Sequence, residues 1–189
     1  MNIASEDDRS PEARSLVRAV VIGNSGSGKS TLAGHLARAR HLPLLDLDTV
    51  AWEPGKVAVP RDAEVARRDV AAFISQHEQW IIEGCYAALA RGAARADSVL
   101  IFLNPGVAAC QAHCRARPWE PHKYASQAQQ DGHLDFLLKW VATYETREDD
   151  MGLAAHRVLF EQWPGPRWEL NEPLNAAAMN ELTKKLGSL

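Results

Sequence analysis

"VIGNSGSGKSTLAGHLA" (Val21–Ala37) holds the pattern on which the reading of this chain turns. Within it, Gly23-Asn24-Ser25-Gly26-Ser27-Gly28-Lys29-Ser30 satisfies G-x-x-x-x-G-K-[ST], and Thr31 follows. Glycines let successive backbone N–H groups turn inward around phosphate oxygens. A helix opening directly after the loop adds its positive N-terminal end. On this reading Gly23, Asn24, Ser25, Gly26, Ser27, Gly28, Lys29, Ser30 and Thr31 bind a nucleotide. Lys29 reaches its β- and γ-phosphates, and the Ser30 hydroxyl ligates Mg²⁺. The competing reading is a Gly/Ser-rich turn that happens to fit. The flanks argue against it: the apolar run "LVRAVVIG" precedes the loop, and "STLAGHLARAR" follows with Leu32, Ala33, Leu36 and Ala37 at helical spacing.

Outward from the loop, apolar runs alternate with helical patterns. "LPLLDLD" (Leu42–Asp48), "QWIIEG" (Gln79–Gly84) and "SVLIFLNP" (Ser98–Pro105) read as strands. Residues 63–77 place Val65, Ala66, Val70, Phe73 and Ile74 at helical spacing. From Cys110 to Tyr144 no strand is expected, and His133–Tyr144 predicts a helix with Leu134, Leu137, Leu138 and Val141 on one side. Trp163–Asn171 predicts a turn and a short last strand, and Asn175 is a candidate N-cap of a closing helix. Alternation of this kind needs crossover connections and gives a parallel sheet. The expectation is a flexible tail over residues 1–15 and a single α/β domain over 16–189.

Bulk properties narrow the function classes. The chain has 189 residues, enough for one domain with a real core. A net charge of −3 gives no basic excess for an obligatory nucleic-acid partner. No apolar run is long enough for a membrane span, and the acidic N-terminus lacks a signal-peptide stretch. Three Cys cannot all pair within the chain, which fits a reducing cytoplasm.

Ligands of open α/β sheets bind beyond the carboxyl ends of the strands. Asp46, Asp48 and Glu83 fall there. In an extended segment Asp46 and Asp48 share one face, so one can orient Mg²⁺ through water while the other accepts a proton from an acceptor hydroxyl. Glu83 is placed to support the metal's water shell. The plainer alternative is that both Asp residues cap the next element.

"GNSGSGKST", "LDLDTVAWEPG", "WIIEGCY", "ADSVLIFL", "CRAR" and "FLLKWVATYETRED" together resemble the nucleoside-monophosphate-kinase group of P-loop proteins. The likeness is greatest to the small adenylate-kinase-like proteins described as DNA-topology-modulation proteins. The resemblance covers Val20 to about Asp150. It implies a three-layer P-loop NTPase fold with a five-stranded parallel sheet. It also implies a helical substrate lobe at about 49–77 and a lid at about 115–150. The implied activity is transfer of the γ-phosphoryl group of ATP to a small acceptor, nucleotide or hydroxylated metabolite. Members usually carry Asp at the position of Glu83 and Asn at that of Cys85. Arg147 and Arg157 are similar to lid arginines that neutralise the transferring phosphoryl group, a task for always-charged, fork-shaped donors. By the same likeness Arg115, near Arg117, lies against the adenine.

Other features admit two readings each. "RPWEPHKY" (Arg117–Tyr124) is a proline-shaped loop that either clasps a ligand or packs on its own aromatics. "CQAHC" (Cys110–Cys114) lacks the second Cys pair of a closed zinc site, so buried thiols are expected. Trp52 borders the acceptor pocket on the functional reading. Arg61, Arg91 and Arg95 either meet an anionic acceptor or form polar helix faces. A nucleotide-hydrolysing regulatory or nucleic-acid-associated ATPase is the alternative to a kinase.

Overall fold

The apolar run before the glycine-rich loop folds as strand β1 (Arg18–Gly23), and the loop opens directly into helix α1 (Lys29–Arg40). The computed structural model describes residues 16–53, 59–120 and 125–188; the expected tail, residues 1–15, lies outside them. Along the chain follow β2 (Leu44–Asp46), α2 (Asp48–Ala51), α3 (Ala63–Gln76), β3 (Trp80–Gly84), α4 (Ala87–Ala90) and β4 (Val99–Leu103). Then come α5 (Val107–Arg115), α6 (Gln127–Ala142), α7 (Leu153–Glu161), β5 (Arg167–Leu170) and α8 (Ala176–Leu186). The five strands are all parallel, in the order β2-β3-β1-β4-β5.

The sheet is covered on both sides, which is why β3 and β4 are buried along their whole length rather than on alternate residues. On one face Val20, Ile22, Ile82 and Phe102 pack with α3, α4 and α7; on the other Val21, Ile81 and Ile101 pack with α1 and α8. These are three layers around two cores. Helix α6 stands off the sheet, laying Leu134, Leu137, Leu138 and Val141 on Cys110 and Cys114 of α5. It begins earlier than its apolar spacing predicts, because the Ser126 side chain accepts the Gln129 N–H and caps it there. The predicted cap at Asn175 is present, accepting the Ala178 N–H at 2.9 Å. No helix among the described residues is long and apolar enough to cross a membrane.

One local expectation fails. Strand β2 ends at Asp46, and Leu47 already has helical angles (φ −63°, ψ −21°). Asp46 and Asp48 are therefore not on one face of an extended segment. The chain turns between them, and Asp46 Oδ1 accepts the Asp48 N–H at 2.9 Å.

Candidate active site

The phosphate loop is built against α5 and α6. Gly26 has φ 78°, and a Cβ there would run into the Cys110 carbonyl and the Cys114 sulfur, so only glycine fits the turn and the contact. His113 Nδ1 lies 2.7 Å from the Gly26 carbonyl oxygen. A carbonyl only accepts, so Nδ1 carries the proton. Asn24 is buried; its side-chain amide donates to Val141 O at 3.1 Å, and its Oδ1 accepts the Ser25 N–H at 2.8 Å. The two cysteines of "CQAHC" are buried thiols, with burial pushing Cys110 up to about 11.

Glu83, next to last in β3, lies on the face covered by α1, two residues beyond Ile81 in the pleat's alternation and paired with Val21 of β1. That phase brings its carboxylate under the first turn of α1. Glu83 is 3 % exposed, and its Oε2 is buried with no hydrogen-bond partner. Burial raises its pKa, as do Asp46 and Asp48, while Lys29 and the Ser30 hydroxyl oppose the shift. Lys29 is the complement: burial pulls its pKa down, but Glu83 and Asp48 outweigh this and the net direction is upward. Lys29 is therefore an ammonium held among acids. Asp46 pairs with Glu83 across β2 and β3, so the two carboxylates sit in one row. A buried carboxylate with one orphaned oxygen, beside Ser30 at the start of a glycine-cradled helix, fits a divalent cation held with nucleotide phosphates. No group of three or more His, Cys, Asp or Glu side chains arranged for a metal occurs among the described residues. A cation here would take water and phosphate oxygens to complete its shell.

Asp48 begins α2. Its N–H is bound by Asp46, and its Oδ1 accepts the Tyr86 hydroxyl at 2.7 Å. The Trp52 indole N–H in turn donates to the Tyr86 oxygen at 2.6 Å. Tyr86 follows β3 in the "EGCY" turn, a residue the sequence reading passed over. The backbone brings the two turns together: Leu47 N–H donates to Glu83 O at 2.8 Å. A Cβ on Gly84 would stand 2.7 Å from the Leu47 Cβ.

One cavity of about 460 Å³ joins these parts. Its walls include Ser25, Gly26, Gly28, Lys29, Ser30 and Thr31 of the loop, Asp48 opposite, and His113, Arg117 and Glu120 on the α5 side. His113 was not singled out as a binding residue from sequence, lying inside a pattern read for cysteines. Arg117 stood out there among the lid-region arginines, with no role of its own assigned. Residues 121–124 of that proline loop, with His122 and Lys123, lie outside the described residues.

The expected lid arginines are placed elsewhere. Arg157 Nη1 binds Glu169 Oε2 at 2.6 Å on β5, and its guanidinium lies 5.3 Å from the Phe102 ring centre. Arg147 stacks on Trp140 at 3.7 Å, donates to the Trp140 carbonyl and to Thr143 Oγ1, and pairs with Asp149. Burial lowers its pKa. Arg115 lines a smaller neighbouring cavity with Gln127 and His133, not the phosphate cavity. Arg61 pairs with Asp69 at 2.6 Å and Arg91 with Gln162 at 3.0 Å. For Arg147, Arg157, Arg61 and Arg91 a partner on the same or an adjacent element captures the guanidinium, which sequence spacing alone does not register. The described arginine on the cavity wall is Arg117, paired with Glu120 at 3.3 Å.

Neither a protein-family model nor a curated protein matches this sequence. Solved structures match the fold. A gluconokinase from Sinorhizobium meliloti 1021 aligns with a TM-score of 0.51 at 18% identity, covering 93% of this chain and 91% of that one. The shikimate kinase of Acinetobacter baumannii gives 0.51 at 17% identity, over 92% of each chain. That of Bacteroides thetaiotaomicron gives 0.51 at 17%, over 91% of this chain and 97% of the other. The five-stranded parallel sheet with its flanking helices matches the fold of these kinase structures. At such identities the likeness concerns architecture, and the chemistry has to be argued from this chain's own cavity.

Proposed function

We propose that this protein is a phosphotransferase that moves the γ-phosphoryl group of ATP, bound with Mg²⁺, to a hydroxyl of a small acceptor. The observation that carries the reading is the single cavity in which Asp48 faces the Gly26–Ser30 cradle and Lys29. Backbone N–H groups of the loop hold the donor phosphates, and Lys29, charged among its acids, binds the β- and γ-phosphates. Ser30, with Glu83 and Asp46 beside it, would hold Mg²⁺, which when bound would neutralise phosphate charge.

Asp48 takes the proton of the acceptor hydroxyl as that oxygen bonds to phosphorus and the bond to ADP breaks. Arg117, at the cavity wall, is better placed than Arg147 or Arg157 to cover the transferring group. Phosphoryl transfer needs positioning and charge more than covalent help. The fold shared with a gluconokinase and shikimate kinases, enzymes named for small acceptors, supports a small acceptor here. The adenylate-kinase-like resemblance keeps nucleoside monophosphates among the candidates. Cytoplasmic residence follows as part of the same proposal.

The test is a coupled ADP-release screen across nucleoside monophosphates, nucleosides and sugar acids. Wild type should accelerate with at least one class, and Lys29→Ala and Asp48→Asn should abolish the gain. ADP release at the water rate with every acceptor would transfer the protein to the nucleotide-hydrolysing alternative. Unchanged nucleotide affinity in Lys29→Ala would remove the donor site itself.

A further inference from the structure

We propose that Tyr86, directed by Trp52, is the positioning residue of Asp48, and that this three-residue chain sets the carboxylate orientation needed for turnover. The inference rests on the kinase reading above. Its polarity follows from the side-chain types. An indole N–H can only donate. With Trp52 Nε1 2.6 Å from the Tyr86 oxygen, that oxygen accepts there, and its own proton goes to Asp48 Oδ1 at 2.7 Å. The order Trp52 to Tyr86 to Asp48 cannot reverse.

The geometry explains why an external hold is required. Helix α2 is four residues long, too short to fix a side chain by its own packing. Asp48 opens it and Trp52 follows its last residue, an i, i+4 spacing that puts both on one side of the turn. Both then converge on Tyr86, which arrives from β3 on a different element. Trp52 is itself held by an antiparallel bridge to Pro60, and its ring meets Tyr86 edge-on at 6.3 Å and 72°. Tyr86 is buried, and burial, with Cys85 and Asp48 adding to it, raises the phenol's pKa, so the donor keeps its proton at any working pH. The chain thus ties the acid facing the phosphate cradle to the rim of the expected substrate lobe.

The experiment compares Tyr86→Phe, Trp52→Phe and the double variant, with thermal melts to establish folding. The first readout needs no acceptor: the side-chain carboxyl ¹³C resonance of Asp48, assigned through Asp48→Asn, and the Trp52 indole N–H resonance. Tyr86→Phe should move both, and Trp52→Phe should move the carboxyl signal less. The second is ADP release from MgATP with the screened acceptor panel. Tyr86→Phe should lower the rate about tenfold, the loss of one hydrogen bond to a charged group, with the ATP KM unchanged. In the Tyr86→Phe background, Trp52→Phe should add little. An unmoved Asp48 signal in a folded Tyr86→Phe protein overturns the proposal, as do additive rate losses. If wild type responds to no acceptor, the kinase reading fails, whereas the Asp48 signal still decides the positioning.

Discussion

His113 on the last turn of α5 holds the phosphate loop by its backbone, with Nδ1 2.7 Å from the Gly26 carbonyl oxygen. The contact is selective for a donor at that position. His113→Ala should weaken nucleotide binding about fivefold, the worth of one ordinary hydrogen bond, without unfolding the protein. His113→Asn, which restores an N–H donor of similar reach, should recover part of the loss. Titration with an ADP analogue measures both.

Arg117 and Arg157 separate two accounts of the cationic side of the cavity. Arg117 stands on its wall, whereas Arg157 is bound to Glu169 against Phe102. Arg117→Ala should lower turnover by ten- to a thousandfold, the order expected for a charge over the transferring group. Arg157→Ala should leave the ATP KM unaltered and cost stability, on the order of 1 kcal/mol, through the lost pair and ring contact. A large turnover loss in Arg157→Ala with native stability would return that residue to the active site.

Gly84 touches Leu47 where no Cβ can stand, since the nearest Leu47 carbon would lie 2.7 Å away. The contact sets the spacing between the β3 and β2 turns, hence between Tyr86 and Asp48. Gly84→Ala should destabilise by about 1–3 kcal/mol as Leu47 is pushed aside. It should also lower acceptor turnover more than nucleotide affinity. Urea unfolding and a kcat-against-KM comparison read the two effects separately.

His156 makes a pH-dependent contribution to stability. It is fully buried, its Nε2 donates to Cys85 O at 2.8 Å, and its Nδ1 accepts the Tyr144 hydroxyl at 2.7 Å. Burial drives its pKa down to about 4. The folded state keeps the ring neutral while the unfolded chain protonates near 6.5. Stability is therefore complete above about pH 6.5 and is lost as pH falls towards 4, by roughly 3 kcal/mol across that window. The difference between wild type and His156→Gln in urea midpoint should shrink over the same range. A constant difference would show that the ring does not titrate as described.

Much of the fold was legible from local pattern. Apolar runs bounded by Gly or Pro located the strands, and capping chemistry at Asn175 located the last helix. Asp46 and Asp48 were legible as a pair, but their relation was misread. The apolar alternation of "LPLLDLD" continues past the point where Leu47 turns, driven there by its hydrogen bond to Glu83 O and its packing on Gly84. The partners of the arginines were illegible for a related reason. A guanidinium on a long stem pairs with whatever carboxylate or ring the fold sets within reach, and Glu169 and Trp140 reach Arg157 and Arg147 first.

By itself the sequence determined the phosphate loop and the α/β layering. Both rest on contacts within a few residues: backbone N–H groups that only glycines allow to converge, and apolar periods that select strand or helix. Tertiary structure alone decided which side chains share the cavity. His113 meets Gly26, and Tyr86 meets Asp48 and Trp52, across 87, 38 and 34 residues of chain. Such meetings depend on how β3 and α5 pack beside β1, and that packing leaves no local period in the sequence.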